Sequence, residues 1–441
     1  MIFQYILILP KSLIAMTKKR YKIIGLFHLR FLFLCILAGI GSGYFTLITN
    51  QAYFYFKQLY QYSPYSIFIW TPTVFCLIAF LFKHYFPYAG GSGLSQGYAL
   101  DAFAQYELKN TYSIKTMFGK ILLTLGSIGS GASLGREGPS IQICSAIFGS
   151  MKGLSLKHKK LFIRLGSGIG VATAFNAPLG GIIFVLEEYL KVSRIEINNL
   201  LLLGIIIAGY TGTLIYGDYS YMGRVPTSLL TYHWQTIVLS IIAGIICGLA
   251  GAALTRFIVY FTVNQGQFWY AFSRKHYLCL AIFFGFCVAL LGFLSDGASF
   301  GNGAVEVKYV LDNGLSLPWH YGLTKSLGTL FSIAANAPGG YFSTALSIGA
   351  GLMDTVHRLW PILPVEQFYL LGMVGFLAAI TNAPITAVAM MLSIVIDSQY
   401  FLLPMILSSL TASYLANLFG DSVYHQQVLI YIDKQKYRQT R

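Results

Sequence analysis

The sequence predicts an all-α polytopic membrane protein, and three observations carry that prediction. Of 441 residues, 56% are hydrophobic and only 10% are charged, against roughly 25% charged in a soluble domain. Uncharged stretches recur at 31–56, 58–82, 197–217, 225–255, 276–295, 326–353, 367–396 and 398–420. Each is long enough to cross ~30 Å of hydrocarbon, which takes about 20 helical residues. Other apolar segments are short and broken by glycine or proline, a pattern of discontinuous helices at a transport site.

The elements follow in order. Residues 28–60 and 66–86 read as two long helices. The piece 90–104, opened by Gly90-Gly91-Ser92-Gly93, is too short to span and reads as a re-entrant half-helix. A helix at 113–130 precedes a half-helix at 137–150. Segments 161–174 and 178–190 are split at Asn176-Ala177-Pro178, because a residue before proline leaves the helical region. Helices follow at 195–216, 233–264 and 276–295, then a polar, glycine-rich loop at 296–318. A helix at 320–337 leads to a half-helix at 341–353. Segments 365–380 and 384–397 are split at Asn382-Ala383-Pro384. A helix at 401–420 and a short segment at 424–433 complete the chain.

An internal repeat runs through this order. At an offset of 205, Lys120/Lys325, Leu122/Leu327, Thr124/Thr329, Leu125/Leu330, Ser127/Ser332, Ile128/Ile333, Ala132/Ala337 and Gly135/Gly340 coincide. The two Asn-Ala-Pro breaks recur at an offset of 206. Paired broken segments in two halves point to a transporter with its site at the repeat interface, near the midplane. The chain is read as one transmembrane transport domain, about 28–217 and 225–433 as the halves and 434–441 as a tail. The repeat sets Glu137 against Phe342, so one half alone carries the charge.

The net charge of +15 is explained by a membrane better than by nucleic acid. Lys18, Lys19, Arg20 and Lys22 precede the first span, and Lys434, Lys436, Arg438 and Arg441 follow the last apolar segment. Basic residues mark the cytoplasmic side, which places both termini there, with the protein multi-pass in the cell membrane. Loop 152–164 is as basic, so charge alone does not order every loop. The six cysteines show no metal-type spacing and read as small packing residues. Residues 1–15 are apolar with the basic cluster after them, the wrong order for a signal peptide; Met16 is an alternative start.

The chemistry centres on Gly135-Arg136-Glu137-Gly138-Pro139. Two charges lie between membrane-depth segments, where a charge costs at least ~2.5–3.5 kcal/mol. Helix breakers beside them suggest exposed helix N-termini, whose free N–H groups and positive dipole end hold anions. Adjacent helical residues do not face one another, so Glu137 and Arg136 point apart, and the Glu137 carboxylate can mimic an anion. The plain alternatives are a structural ion pair and a water-exposed loop. Ser92, between two glycines, offers a hydroxyl to an ion or packs two helices closely. Glu187-Glu188 end an apolar run, either as interfacial residues or with one taking up protons. Tyr424 can donate to an anion or sit at the interface. Gly131-Ala-Ser133-Leu-Gly135 fits the G-x-S-x-G pattern of serine hydrolases, but no strand precedes it; an intramembrane hydrolase is the remote alternative.

Together these residues resemble the CLC family of chloride channels and chloride/proton antiporters. Gly91-Ser92-Gly93 is similar to the start of its first anion motif, and Gly135 to Pro139 matches the second. Gly340-Tyr341-Phe342 matches part of the third. Phe175-Asn-Ala-Pro-Leu179 through Glu187-Glu188 is close to the following segment, and Lys120 sits sixteen residues before the motif arginine, as in the family. The resemblance covers about 30–433. It implies two inverted-topology repeats of tilted, partly re-entrant helices, and a homodimer with one pore per subunit. It implies Ser92 and Tyr424 as side-chain ligands of a central chloride, with the backbone at Gly138, Pro139 and Ser140 and at Phe342, Ser343 and Thr344 completing the anion sites. Glu137 would be the gating glutamate and Glu188 the inner proton relay, with Arg136, Lys120 and Glu187 in support. No cofactor is implied beyond the transported chloride and protons. Glu188 favours an antiporter over a passive channel of the same fold, and Ser92 favours chloride over nitrate or fluoride. The sequence departs from the family at Ser95 and Thr344, which replace motif prolines, and at Ser393, near where many members carry a glutamate. The chain ends soon after its last helix, so the cytoplasmic nucleotide-binding pair of many relatives is expected to be absent.

Overall fold

A computed structural model of the protein describes residues 11–101, 105–151, 153–190, 199–217, 220–230, 233–263, 273 and 275–429, with side chains from His28 onward except at a few segment ends. The helices are α1 Lys11–Tyr62, α2 Ile67–His84, α3 Leu94–Tyr98, α4 Gln105–Thr111, α5 Ile114–Ile128, α6 Glu137–Gly149, α7 Leu156–Phe175, α8 Pro178–Leu190 and α9 Asn199–Tyr216. The second half holds α10 Trp234–Thr262, α11 Tyr277–Leu294, α12 Ala304–Asn313, α13 Tyr321–Ala334, α14 Phe342–Leu359, α15 Val365–Thr381, α16 Pro384–Ile394 and α17 Leu402–Phe419. Residues 423–429 form a last helical turn or two. Among the described residues there is no extended strand; the two isolated bridges pair Gly135 with Gly340 and Arg224 with Ile396.

Six helical stretches among the described residues are long and apolar enough to cross a bilayer: His28–Tyr62, Pro64–His84, Asn199–Tyr216, Trp234–Thr262, Tyr277–Leu294 and Ser398–Leu429. The last of these is interrupted at 420–422. Their outward faces are greasy, for example Ile282, Phe283, Phe286 and Leu294 on α11. The short helices α6, α7, α14 and α15 form the interior instead. α6 is buried almost throughout, and so is α15.

Close backbone approach holds these inner helices together. A Cβ on Gly166 of α7 would lie 2.6 Å from Ser145 Cα of α6, and one on Gly372 of α15 would lie 2.2 Å from Gly349 O of α14. These two glycines are 206 residues apart, so the repeat extends to packing. Small residues at crossings are how membrane helices associate when no hydrophobic force separates helix from lipid.

Several boundaries differ from expectation. α7 begins at Leu156, not 161, because Ser155 caps it by accepting the His158 N–H at 3.4 Å; the basic residues 157–160 ride its first turns. The expected loop 296–318 contains α12. Positive-φ glycines, Gly303 and Gly314, bound it at either end (φ 78° and 63°), and Ala304, Val307, Val310 and Leu311 form its buried face. The re-entrant piece after Gly93 is shorter than expected: five α-helical residues and a single 3-10 turn, Ala99–Asp101. The tail 434–441, its basic residues and the alternative starts lie outside the residues whose side chains are described. The half boundary at 217 falls before the linker 220–230, and the one at 225 falls within it. Of the cysteines, Cys35, Cys144 and Cys247 pack inside, while Cys279 is exposed.

Candidate functional site

The two halves meet backbone to backbone. Gly135 N–H donates to Gly340 O at 2.9 Å, and Gly340 N–H returns the bond to Gly135 O at 2.7 Å. These are the two glycines that the 205-residue offset superposes. Their antiparallel pairing is what a two-fold relation between halves requires. From this crossing α6 and α14 run outward with their N-termini adjacent.

Three stretches converge there. A Cβ on Gly138 would lie 2.2 Å from Ser92 O and 3.2 Å from Gly340 Cα, and one on Gly93 would lie 2.4 Å from Gly138 O. Only glycine lets the α3, α6 and α14 starts approach this closely. Ser92, Gly138, Pro139, Ser140, Phe342, Ser343 and Thr344 are therefore neighbours around one point, and Ser92 and Ser343 are buried. Tyr424 joins them from the last helical segment. It is 1% exposed, stacked on Tyr341 (5.5 Å between centroids, 6° between planes) and on Phe342 (6.0 Å). It is no interfacial residue.

The free donors can be counted. Ser140 N–H already donates to Arg136 O at 2.9 Å, and Pro139 has no N–H. Ser140 therefore offers no backbone N–H to an anion, contrary to expectation, although its hydroxyl has no partner among the described residues. The unspent N–H groups of an N-terminal turn fall at Glu137 and Gly138 on α6, and at Phe342, Ser343 and Thr344 on α14.

Glu137 is completely buried. Its Oε1 accepts from Tyr221 Oη at 3.0 Å and from Ser343 Oγ. Its Oε2 has no partner among the described residues and packs against the crossing glycines; a Cβ on Gly135 would sit 1.9 Å away. Arg136 points elsewhere: it donates to Asn50 Oδ1 and lies 5.4 Å from the centre of the Tyr221 ring. The carboxylate thus occupies the space between two helix N-termini, where a bound anion would be stabilised by the same dipoles.

The supporting residues act on backbone. Lys120 Nζ donates to Gly90 O (3.2 Å) and Gly91 O (2.5 Å). Lys325 donates to Ser299, Phe300 and Gly301 carbonyls at 3.1, 3.0 and 2.7 Å. Each buried ammonium thereby shapes a glycine loop. Gly91 and Gly93 have φ of 67° and 97°, and Gly301 and Gly303 have 61° and 78°. Gly301-Asn302-Gly303 is thus the second-half echo of Gly91-Ser92-Gly93. Sequence reasoning missed it because the local offset is 210, not 205.

Glu187 is a cap. Its Oε1 and Oε2 accept from the N–H groups of Ile385 (3.1 Å) and Thr386 (2.6 Å) at the start of α16. Glu188, one residue on, is buried. Tyr424 lies within electrostatic reach of both Glu137 and Glu188. The replaced prolines have found partners: Ser95 Oγ donates to Gln427 Oε1 at 2.8 Å, Gln427 Nε2 donates to Tyr341 Oη at 3.3 Å, and Thr344 Oγ1 donates to Tyr341 O at 3.0 Å. Ser133 of the G-x-S-x-G stretch shares a hydrogen bond with Thr329 at 3.1 Å, not with a histidine, and gives no support to a hydrolase. Among the described residues no cluster has the makings of a metal site.

Beside Arg136 a cavity of about 500 Å³ opens, lined by Lys57, Arg136, Tyr221, Asn302 and Lys308 among others. Asn302 and Tyr221 were not anticipated. The glycines around Asn302 were a usable signal; nothing in the sequence marks Tyr221.

Comparison with known proteins agrees with this geometry. Residues 73–417 match the family described as voltage gated chloride channel. The H(+)/Cl(-) exchange transporter ClcA of Citrobacter koseri is 27% identical over 413 residues, 88% of this chain and 85% of its own. That of Salmonella typhimurium is 24% identical over 429 residues, 91% and 88% of the two chains. Among solved structures, a slow cyanobacterial Cl-/H+ antiporter superposes with a TM-score of 0.73 at 22% identity, over 93% of this chain and 98% of the other. A CLC-type fluoride/proton antiporter gives 0.74 at 18% identity, over 92% and 98%. The chain belongs to the voltage gated chloride channel family, the CLC proteins.

Proposed function

We propose that the protein exchanges chloride for protons across a cell membrane. The observation that carries this reading is the buried Glu137 carboxylate, held where the α6 and α14 N-termini meet. A carboxylate and a halide compete for the same space and the same positive helix ends, so protonating one admits the other. Ser92 and Tyr424 supply hydroxyls to the central anion, and unspent N–H groups at Gly138 and at Phe342–Thr344 complete its shell. Pro139, third residue of α6, brings no N–H, and the Ser140 hydroxyl beside it has no partner among the described residues. Glu188 carries protons from the inner side, while Arg136, Lys120 and Glu187 hold the framework. The named activity of the ClcA relatives supports the same reading. Ser92 supports chloride as the anion, a point the fold leaves open, since a fluoride/proton antiporter shares it.

The working unit is a homodimer in the cytoplasmic-type membrane, both termini cytoplasmic, with the halves 28–217 and 225–433 enclosing one pore.

In liposomes under a pH gradient, the chloride reversal potential is expected to follow both gradients. Glu137→Ala should still move chloride but no protons. Wild-type flux indifferent to the pH gradient would make the protein a channel.

A further inference from the structure

We propose that Tyr221, set by Asn302 and joined by Ser343, is an outer latch that holds the gate at Glu137 closed until a proton arrives. The inference rests on the reading of Glu137 as the gate. Its evidence is a chain of donors with one direction. Asn302 Nδ2 donates to Tyr221 Oη at 2.8 Å, and Tyr221 Oη donates to Glu137 Oε1 at 3.0 Å. Ser343 Oγ also donates to that oxygen and lies 2.8 Å from Tyr221 Oη. A phenol has one proton to give; the Asn302 amide fills an acceptor position on it, and an ionised carboxylate can only accept, so the 3.0 Å bond to Glu137 has Tyr221 as its donor.

Tyr221 is placed rigidly for this task. Its ring is met edge-on by Phe175 at 5.1 Å, with the Arg136 guanidinium 5.4 Å from its centre. The linker that carries it is tied to the end of α16. Met222 N–H donates to Ile394 O (2.9 Å), Val225 N–H to Ile396 O (3.2 Å), and Ile396 N–H to Gly223 O (3.0 Å). Arg224 pairs with Asp397 at 2.7 Å. Asn302 is fixed in turn, its Oδ1 accepting the Ala304 N–H at 3.1 Å. The latch therefore joins the linker, the turn before α12, and α14 to the first residue of α6.

The chemistry gives the latch its sense. An ionised carboxylate accepts both hydroxyls, and hydrogen bonds to a charged acceptor are the stronger kind. A proton taken up at Oε2, which has no partner among the described residues, removes the charge, and the two hydroxyls on Oε1 then hold a neutral acceptor, the weaker kind of bond. The latch holds the ionised gate and releases the neutral one. The cavity beside Arg136 reaches Tyr221 and Asn302, so protons from that side arrive at the latch itself. The charged or titratable groups around it are Arg136 at the N-cap of α6, Lys57 from α1 with its ion-pair partner Glu306 of α12 at 2.7 Å, and Lys308 from α12 on the cavity side, with Tyr424 on the other. α14 carries Asp354, His357 and Arg358 three or more turns beyond Ser343.

The test is chloride efflux from liposomes holding the full-length protein, over a pH series. Tyr221→Phe removes one hydroxyl and keeps the ring. Its efflux should be activated at a pH about one unit higher than wild type, a tenfold easier release, as expected for one hydrogen bond to a charged group. Asn302→Ala, a second variant should the first fail to fold, should shift activation the same way by less. In a Glu137→Gln background, whose amide still accepts the hydroxyl but does not titrate, Tyr221→Phe should not shift the pH dependence of efflux further. An unshifted midpoint in the folded variants, or an equal shift in the Glu137→Gln background, overturns the latch. Chloride alone is measured, so the latch is judged even if wild type moves no protons and the antiporter reading fails separately.

Discussion

Tyr424 shows how one residue type can be read two ways until the fold decides. A tyrosine starting a short helix is ordinarily interfacial, yet this one is buried and stacked on Tyr341 and Phe342. Its ring is fixed by packing, so its hydroxyl has a set position from which to meet an anion. Tyr424→Ala is expected to weaken chloride binding about tenfold in calorimetry, the effect of losing a hydrogen bond to a charged partner; unchanged affinity would remove it from the site. Glu137 was legible in the sequence because a charge amid apolar segments has few innocent explanations. Tyr221 was not, because a tyrosine in a polar linker has many. Ser95 and Thr344 are intermediate. Their identity as departures from the motif was visible, but the bonds from Ser95 to Gln427 and from Thr344 to the Tyr341 carbonyl depend on a chain path that composition does not encode.

At the scale of elements, breaks were more legible than caps. Asn176 and Asn382 end α7 and α15 in the left-handed region, φ 56° and 57°, a conformation asparagine tolerates, and the prolines two residues on open α8 and α16. Both breaks could be read directly. α12 could not, since polar residues and glycines outweighed its apolar face of one stripe. Glu187 also belongs to this scale: it ties the end of α8 to the start of α16 by accepting two N–H groups. An acceptor at a helix N-terminus contributes about 0.5–2 kcal/mol. Glu187→Ala should therefore lower the unfolding temperature in detergent, with Glu187→Gln, which keeps one acceptor oxygen, losing less. Equal stability of both variants with wild type would show that this cap does not matter.

At the scale of the whole molecule, segments related by the 205-residue offset meet at the Gly135–Gly340 crossing. The offset of 205 already paired Gly135 with Gly340; in space the two exchange hydrogen bonds. Lys120 and Lys325, paired by the same offset, each hold a glycine loop by its carbonyls. What the offset could not foresee is the division of labour. The first half presents Ser92 and Glu137, while the second presents Asn302 and Ser343, which together with the linker's Tyr221 restrain that glutamate. The central claim is that a carboxylate and a halide share one berth at this crossing. An anomalous-scattering map of crystals grown in bromide, for wild type and Glu137→Gln, tests it most directly. Wild type should hold bromide near Ser92 and Tyr424, and the variant should gain a second bromide where the Glu137 carboxylate lay. No bromide at either position in the variant, or bromide only on a surface remote from the α6 and α14 N-termini, would contradict the account.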